Sequence, residues 1–494
     1  MQGKPTMEPM TPQRPLPARR PLAILLAACA CLLAGACADL SGISPKARQA
    51  EPAAVGLAVA PAAFDWPDAQ WWRPYGDDRL AALVERALAG NPSLMAAESR
   101  LARARSLVDL AESESGPGVG GRVDVTRQRF TETGMIPPAL AGRTRTTYSA
   151  SLVLGWELDF FGRHRAALQA ALGTVQAAEA ELQAARVLLA SRVVAGWIEL
   201  ARLLEQRRLA RETLAQDARM LDLVRSRTEA GLDSRVELRR AEGELPRTRA
   251  GIEALDGEIA LVRHALAVLS AQPPQALNTL EASLPPAPRA ALPAEIPADL
   301  LGRRADVAAA RWRIEAAIGA RDETRARFYP NVNLAGFLGL STLSLTQWLD
   351  AGSRTWGVGP AVRLPLFDTG ALRAELRDRT AGLDEAVHAY NGAIADAARE
   401  VADRLASLHA LSRRDREQRL ALAAAEDAHE LSVQRYRAGL GTYLDVISAQ
   451  AAVTAERRLA ADLDARAADL HAGLAHALGG GYLAPDARTD GSPR

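Results

Sequence analysis

Apolar residues recur every three or four positions over most of the chain, and in four short stretches this period gives way to strict alternation. Between 78 and 114, Leu94, Ala97, Leu101, Ala104 and Val108 fall on one face of a predicted helix, and a second such helix is predicted over 298–327. The helical period then runs from 163 to 229, and again from 371 to 438, without an internal proline. At 1.5 Å per residue either helix, if continuous, is on the order of 100 Å long. Each ends at Ala-Gly-Leu (230–232 and 438–440), where Gly231 and Gly439 can take the left-handed geometry that closes a helix. Return helices follow over 234–270 and 442–478. Helices of this length suit a coiled coil, a spacer or a tube rather than a compact single-core domain.

The alternating stretches predict strands. In 147–158, Tyr148, Ala150, Leu152, Leu154, Trp156 and Leu158 oppose Thr147, Ser149, Ser151, Val153, Gly155 and Glu157. In 354–366, Trp356, Val358, Pro360, Val362, Leu364 and Leu366 share a face, as do Val332, Leu334, Leu338 and Leu340 in 331–341. The stretch 119–130 is weaker, with Val119, Val123 and Val125 opposite Arg122, Asp124, Thr126 and Gln128. Such strands fit a transmembrane β-barrel or a half-buried soluble sheet. Residues 328–349 carry no charge, but Pro330, Asn331, Asn333 and the alternation argue against a membrane helix. Four strands cannot close a barrel, and an open edge in lipid leaves backbone groups unpaired. Other copies must complete the sheet: two would give eight strands with a filled interior, three would give twelve and an aqueous lumen. The turns 131–146 and 342–353 would then face outside.

The chain repeats itself. GLDSRVEL at 231–238 matches GLGTYLDV at 439–446, Arg227 and Ala230 match Arg435 and Ala438, and the 162–165 segment matches 370–373, all offset by 208. Between the copies, seven prolines in 271–297 exclude a continuous helix and predict a belt-like connector. The organisation expected is therefore a signal peptide at 1–36 and a lipidated tether at 37–70. A first repeat follows at 71–286, with strand pair 118–160 and helical hairpin 163–270. A second occupies 287–482, with helix 298–327, strand pair 330–367 and hairpin 371–478, and 483–494 is a tail.

Composition adds the address. The 494 residues hold 60 basic and 59 acidic side chains, a balance that gives no reason to expect nucleic-acid binding. Lys4, Arg14, Arg19 and Arg20 precede the uncharged apolar run 21–36, the pattern of a secretory signal. That run ends in a lipobox-like Leu33-Ala34-Gly35-Ala36-Cys37. Cys29 also fits locally, but it leaves a much shorter apolar run than Cys37 does. Cys37 is thus the expected acylated first residue of the mature chain; ordinary cleavage near Ala36 is the other reading. Ala38 rather than Asp follows it, which in lipoprotein sorting implies the outer membrane of a Gram-negative cell.

The cysteines are Cys29, Cys31 and Cys37 alone, so the body has no disulfide scaffold, thiol nucleophile or thiolate metal site. Phosphate-loop, G-x-S-x-G and H-E-x-x-H motifs are absent, and the seven histidines show no ligand spacing. No catalytic residue, metal or cofactor is expected. Glu157 and Asp159 beside Phe160 and Phe161 read as parts of a strand-to-helix junction.

With WWRPYGDDRLAALVERALAGNP (71–92), WELDFFGRHR (156–165), LLGRRADVAAA (300–310), FYPNVNL (328–334), LPLFDTGALRAEL (364–376), RYRAGLGTYLDVISAQ (435–450) and ALGGGY (477–482), the chain resembles the TolC-like outer-membrane factor family. The similarity is to its NodT- and OprM-type lipoprotein branch, over roughly 65–485. The resemblance implies a mainly α protein with transmembrane β structure: a homotrimer with a twelve-stranded outer-membrane β-barrel, a periplasmic α-barrel of long helical hairpins, and an equatorial belt. It implies a passive exit duct working with a periplasmic membrane-fusion adaptor and an inner-membrane pump, of the resistance-nodulation-division type first of all. The alternative is a lipid-anchored helical periplasmic scaffold or adaptor without a pore.

The resemblance also places the Ala-Gly-Leu turns at periplasmic tips, so that Gly231, Leu232, Gly439 and Leu440 would meet the adaptor. Acidic residues just after the second turn would narrow the pore. Here Thr442, Tyr443, Leu444 and Asp445 lead to Ser448, which stands where family members commonly have a second Asp. Threefold symmetry would gather three Asp445 carboxylates about one axis. Arg435, Arg437, Glu237 and Arg240 could latch neighbouring hairpins, or be ordinary solvated helix-end charges.

Overall fold

A computed structural model describes residues 40–58, 65–284, 296–365 and 368–483. The signal peptide, Cys37, Leu366, connector residues 285–295 and the tail from 484 lie outside the described residues, as do 38–39 and 59–64 of the tether. The helices are α1 (Asp78–Gly90), α2 (Pro92–Ser115), α3 (Arg163–Glu229), α4 (Arg235–Leu269), α5 (Ala305–Ala326), α6 (Thr369–Arg437) and α7 (Tyr443–Ala477), with a single turn at Leu300–Arg303. The strands are β1 (Gly118–Arg129), β2 (Thr144–Leu158), β3 (Asn331–Thr342) and β4 (Arg354–Arg363). No helix among the described residues is long and apolar enough to cross a membrane.

The helix expected over 78–114 is two helices. Asn91 breaks it in an extended conformation (φ −69°, ψ 126°). Its Oδ1 accepts from the Ser93 N–H at 2.9 Å and its Nδ2 donates to the Leu269 carbonyl at 2.9 Å. Pro92 then opens α2, a position where its missing N–H costs nothing.

The chain divides into two compact units. One contains Asp109–Gln169, Ile318–Leu383 and the described residues up to Pro45. Its sheet runs β1-β2-β3-β4, antiparallel throughout. The register brings Leu152, Leu338 and Trp356 into one row, and Leu154, Gly336 and Val358 into the next. One face is therefore apolar across all four strands, and its side chains are exposed: Val119, Val123, Val125, Leu338, Trp356, Val358 and Val362. The other face holds Arg122, Asp124, Ser149, Ser151, Asn333, Ser341 and Thr355. Among the described residues the outer edges of β1 and β4 have no partner strand. At the strand-to-helix junction Arg163 grips Glu157 in a bidentate pair at 2.8 and 2.6 Å, and Phe161 stacks on Tyr329 at 5.0 Å. The sequence expectation that these carboxylates serve the junction matches that contact.

The other unit contains Lys46–Val108, Ala170–Ala317 and the chain from Asp384. Its core joins Trp71, Trp72, Tyr75, Leu80 and Val84 to Val193, Trp197 and Leu200 of α3, Leu266 of α4 and Ala468 of α7. Small residues permit the close helix contacts: a Cβ on Gly173 would come within 2.7 Å of the Ala316 backbone nitrogen. Arg304, buried, ties Asp306, Glu400 and the Ala477 carbonyl together at 2.7–3.0 Å. The described part of the tether is strapped to α6. Asp384 Oδ1 accepts from the N–H groups of Lys46 and Ala47, and Asn391 both accepts from Ala50 and donates to the Arg48 carbonyl. Beyond it, Ala58 bridges Pro297 in parallel.

Candidate functional site

The two hairpin ends, where α3 turns into α4 and α6 into α7, lie in this second unit and are built alike. Gly231 and Gly439 have φ of 76° and 73°. Leu232 N–H donates to the Arg227 carbonyl and Gly231 N–H to that of Thr228; Leu440 and Gly439 donate to Arg435 and Tyr436 in the same pattern. Each helix thus closes in a Schellman motif, whose αL position suits glycine. The turn leaves Leu232 and Leu440 projecting, 66% and 71% exposed.

The return helices begin alike as well. Glu237 accepts from the Ser234 N–H at 2.5 Å. Asp445 Oδ2 accepts from the Thr442 N–H at 2.9 Å and from its hydroxyl at 2.9 Å, while the Asp445 N–H donates back to Thr442 Oγ1. These bonds satisfy N–H groups that the first turn of a helix leaves over. They also hold the Asp445 carboxyl below the usual carboxylate range, the Thr442 N–H contributing most. Asp445 is exposed, as are Ser448, Arg240 and Arg437. Arg435 bends back onto the Leu440 carbonyl at 3.3 Å.

Tyr443, singled out with the gate residues, is 2% exposed. It packs with Leu221, Val224, Ala241, Val446 and Tyr436 in a tip core drawn from four helices, its ring 6.1 Å from that of Tyr436. Burial, helped by Glu244 and Asp217, pushes its hydroxyl up to about 12.

One buried polar cluster at the tips was not expected from the sequence. Asp233, 5% exposed in its side chain, pairs with Arg227 at 3.0 and 3.2 Å and accepts the Tyr436 hydroxyl hydrogen. The Arg227 guanidinium sits 4.5 Å over the Tyr436 ring. Burial first, and the Asp233 bond second, drive the Tyr436 hydroxyl upward, so it stays a donor. The repeat breaks here: the positions matching Asp233 and Tyr436 at the offset of 208 are Gly441 and Thr228. That broken symmetry was the available signal. Among the described residues no group of His, Cys, Asp and Glu could hold a metal ion.

The family model for outer membrane efflux proteins matches residues 83–272 and 296–480. The fusaric acid resistance protein FusA of Burkholderia cepacia is 33% identical over 73% of this chain and 70% of its own length. The multidrug resistance outer membrane protein MdtQ of Escherichia coli is 30% identical over 91% of this chain and 96% of its own. Among solved structures, the outer membrane protein VceC of Vibrio cholerae superimposes with a TM-score of 0.77 at 34% identity, over 84% of this chain and all of that one. The outer-membrane channel OprN gives 0.79 at 27%, over 89% and 99%. The fold read from the sequence, long helical hairpins with four strands contributed to a trimeric twelve-stranded barrel, is the fold of these channels, and they support the duct rather than the scaffold. The chain belongs to the outer membrane efflux protein family and is an outer-membrane efflux channel.

Proposed function

We propose that three copies of this chain form a passive exit duct for drugs or other small molecules in a tripartite system, with a resistance-nodulation-division pump in the inner membrane and a membrane-fusion adaptor between. The observation that supports this most is the sheet: four strands, one face apolar through its middle rows, and outer edges on β1 and β4 without a partner strand among the described residues. Pairing β4 of one copy with β1 of the next satisfies the edges, continues the apolar face as a lipid-facing belt and leaves the polar face for water. The duct performs no chemistry, and the pump supplies the energy.

The tips serve as adaptor dock and gate. Leu232 and Leu440, held out by Gly231 and Gly439, offer the adaptor apolar knobs. Asp445, with Ser448 one turn on, faces the lumen; Glu237, Arg240, Arg435 and Arg437 are the charges available to neighbouring hairpins, and Tyr443 supports the gate from within the tip core. Acyl chains on Cys37 anchor the N-terminus in the inner leaflet of the outer membrane, each adding about 0.8 kcal/mol per buried methylene. Single-channel recording of purified trimers in planar bilayers tests the reading: discrete cation-preferring openings are expected, and a protein that inserts without conducting would overturn it.

A further inference from the structure

Asp217 of α3 is a buried carboxylate outside the tip cluster, 8% exposed. Gln450 Nε2 of α7 donates to its Oδ1 at 2.6 Å, and Thr248 Oγ1 of α4 donates to its Oδ2 at 2.8 Å. No ion pair to it is found among the described residues, so neutral donors alone hold it. One side chain therefore ties both arms of the first hairpin to the second. Above it, Arg202 and Gln206 of α3 make another tie to Asp462 of α7, at 3.1 and 2.7 Å. Below it lies the tip core of Leu221, Val224, Tyr436 and Tyr443. Counted along the helices, the node stands about 10–20 Å from the turns.

Two features mark this level. Pro246 lies inside the continuous helix α4, two residues before Thr248. A proline there has no N–H for the helix ladder, which makes it the position where α4 bends most easily. The duplication also fails here: the positions matching Asp217, Pro246, Thr248 and Gln450 at the offset of 208 are Ala425, Thr454, Glu456 and Glu242. A buried carboxylate with neutral partners is less favourable than an apolar residue would be, and the best-attested use of such a group is to fix how helices register.

We propose that Asp217 is a positioning residue for the gate, pinning α3 to α7 so that the seam stays shut at its level while the tips part below it, with α4 bending at Pro246. This rests on the reading of the tips as a gate. Beyond Cys37 the chain has no cysteine, so thiol pairs can be introduced singly. Trimers with Asp217→Cys and Gln450→Cys, and trimers with Asp233→Cys and Tyr436→Cys, are recorded in bilayers before and after bridging with a short bis-methanethiosulfonate. Bridging 233 to 436 is expected to cut opening frequency at least about tenfold, and bridging 217 to 450 to leave it within about twofold. Closure by the 217–450 bridge, with the 233–436 pair behaving as expected, overturns the pivot alone. Indifference to the 233–436 bridge overturns the gate reading and the pivot with it. In a second comparison Asp217→Ala is expected to split the single conductance level into several, and Asp217→Asn with Gln450→Glu, which re-forms the bond with donor and acceptor exchanged, to restore one level. A single level in Asp217→Ala contradicts the proposal, whatever its thermal stability.

Discussion

Tyr436 donates its hydroxyl hydrogen to Asp233 across 203 positions of chain, joining the end of the third hairpin arm to the turn of the first hairpin. Arg227 neutralises the same carboxylate. Removing one partner leaves the others buried and unpaired. Tyr436→Phe is expected to weaken the tip by about 1 kcal/mol, and Asp233→Ala, which strands a guanidinium under a ring, by about 2–3 kcal/mol. Open probability in bilayers should rise in that order, and equal open probability in both variants and wild type would show that the Asp233–Tyr436 contact does not hold the tips closed.

The gate role proposed for the exposed Asp445 rests on its charge. Asp445→Ala is expected to raise conductance and weaken cation preference, because the proposed gate would lose a carboxylate from each of three copies. The depressed carboxyl gives the pH dependence its sign: charge and cap are fully present above the ordinary carboxylate value of about 4 and are lost as pH falls through the lower folded value. Reversal potentials measured from pH 7 downward should therefore hold steady to about pH 4. Loss of selectivity near pH 5 would exclude Asp445 as its source.

Glu400 is an acid-sensitive group in the Arg304 cluster. Its bond to His476 and then Arg304 hold it at about 2. The stabilisation is present above its unfolded value of about 4.3 and declines as pH falls from there toward the folded value. Arg304→Ala strands Glu400 and the Ala477 carbonyl and should cost about 3 kcal/mol. Thermal melts at neutral pH read the loss, and the difference from wild type should shrink below about pH 4.

Asn391→Ala is expected to release the strap. Two hydrogen bonds to Arg48 and Ala50 go, about 1–2 kcal/mol together. Trypsin should then cut after Lys46 or Arg48 several times faster, with trimer content unchanged. Unaltered cleavage would mean that Asp384 alone holds the segment.

Periodicity made the helices legible: α3 and α6 begin and end within two residues of the positions expected, because a long seam has many apolar positions to vote. The strands were legible from alternation, although β1, with three glycines and three arginines, owes its place to pairing with β2 more than to its own pattern. Asn91 went unread because its effect is to cap two helices at once, through a bond to residue 269. Asp233 and Tyr436, like Asp217 and Gln450, went unread because each pair is separated by more than two hundred residues and meets only when the hairpins pack. Tyr443 was grouped with the gate residues from its place after the turn; that its side chain is buried in the tip core depends on Tyr436 and the other helices that pack there.

Sister copies complete the sheet. The most direct measurement is the native mass of the Cys37→Ser protein extracted in mild detergent from carbonate-washed outer membranes. Without its acyl anchor the chain should remain in the membrane and run as a particle of three copies. Release of a single copy into the aqueous wash would contradict the account.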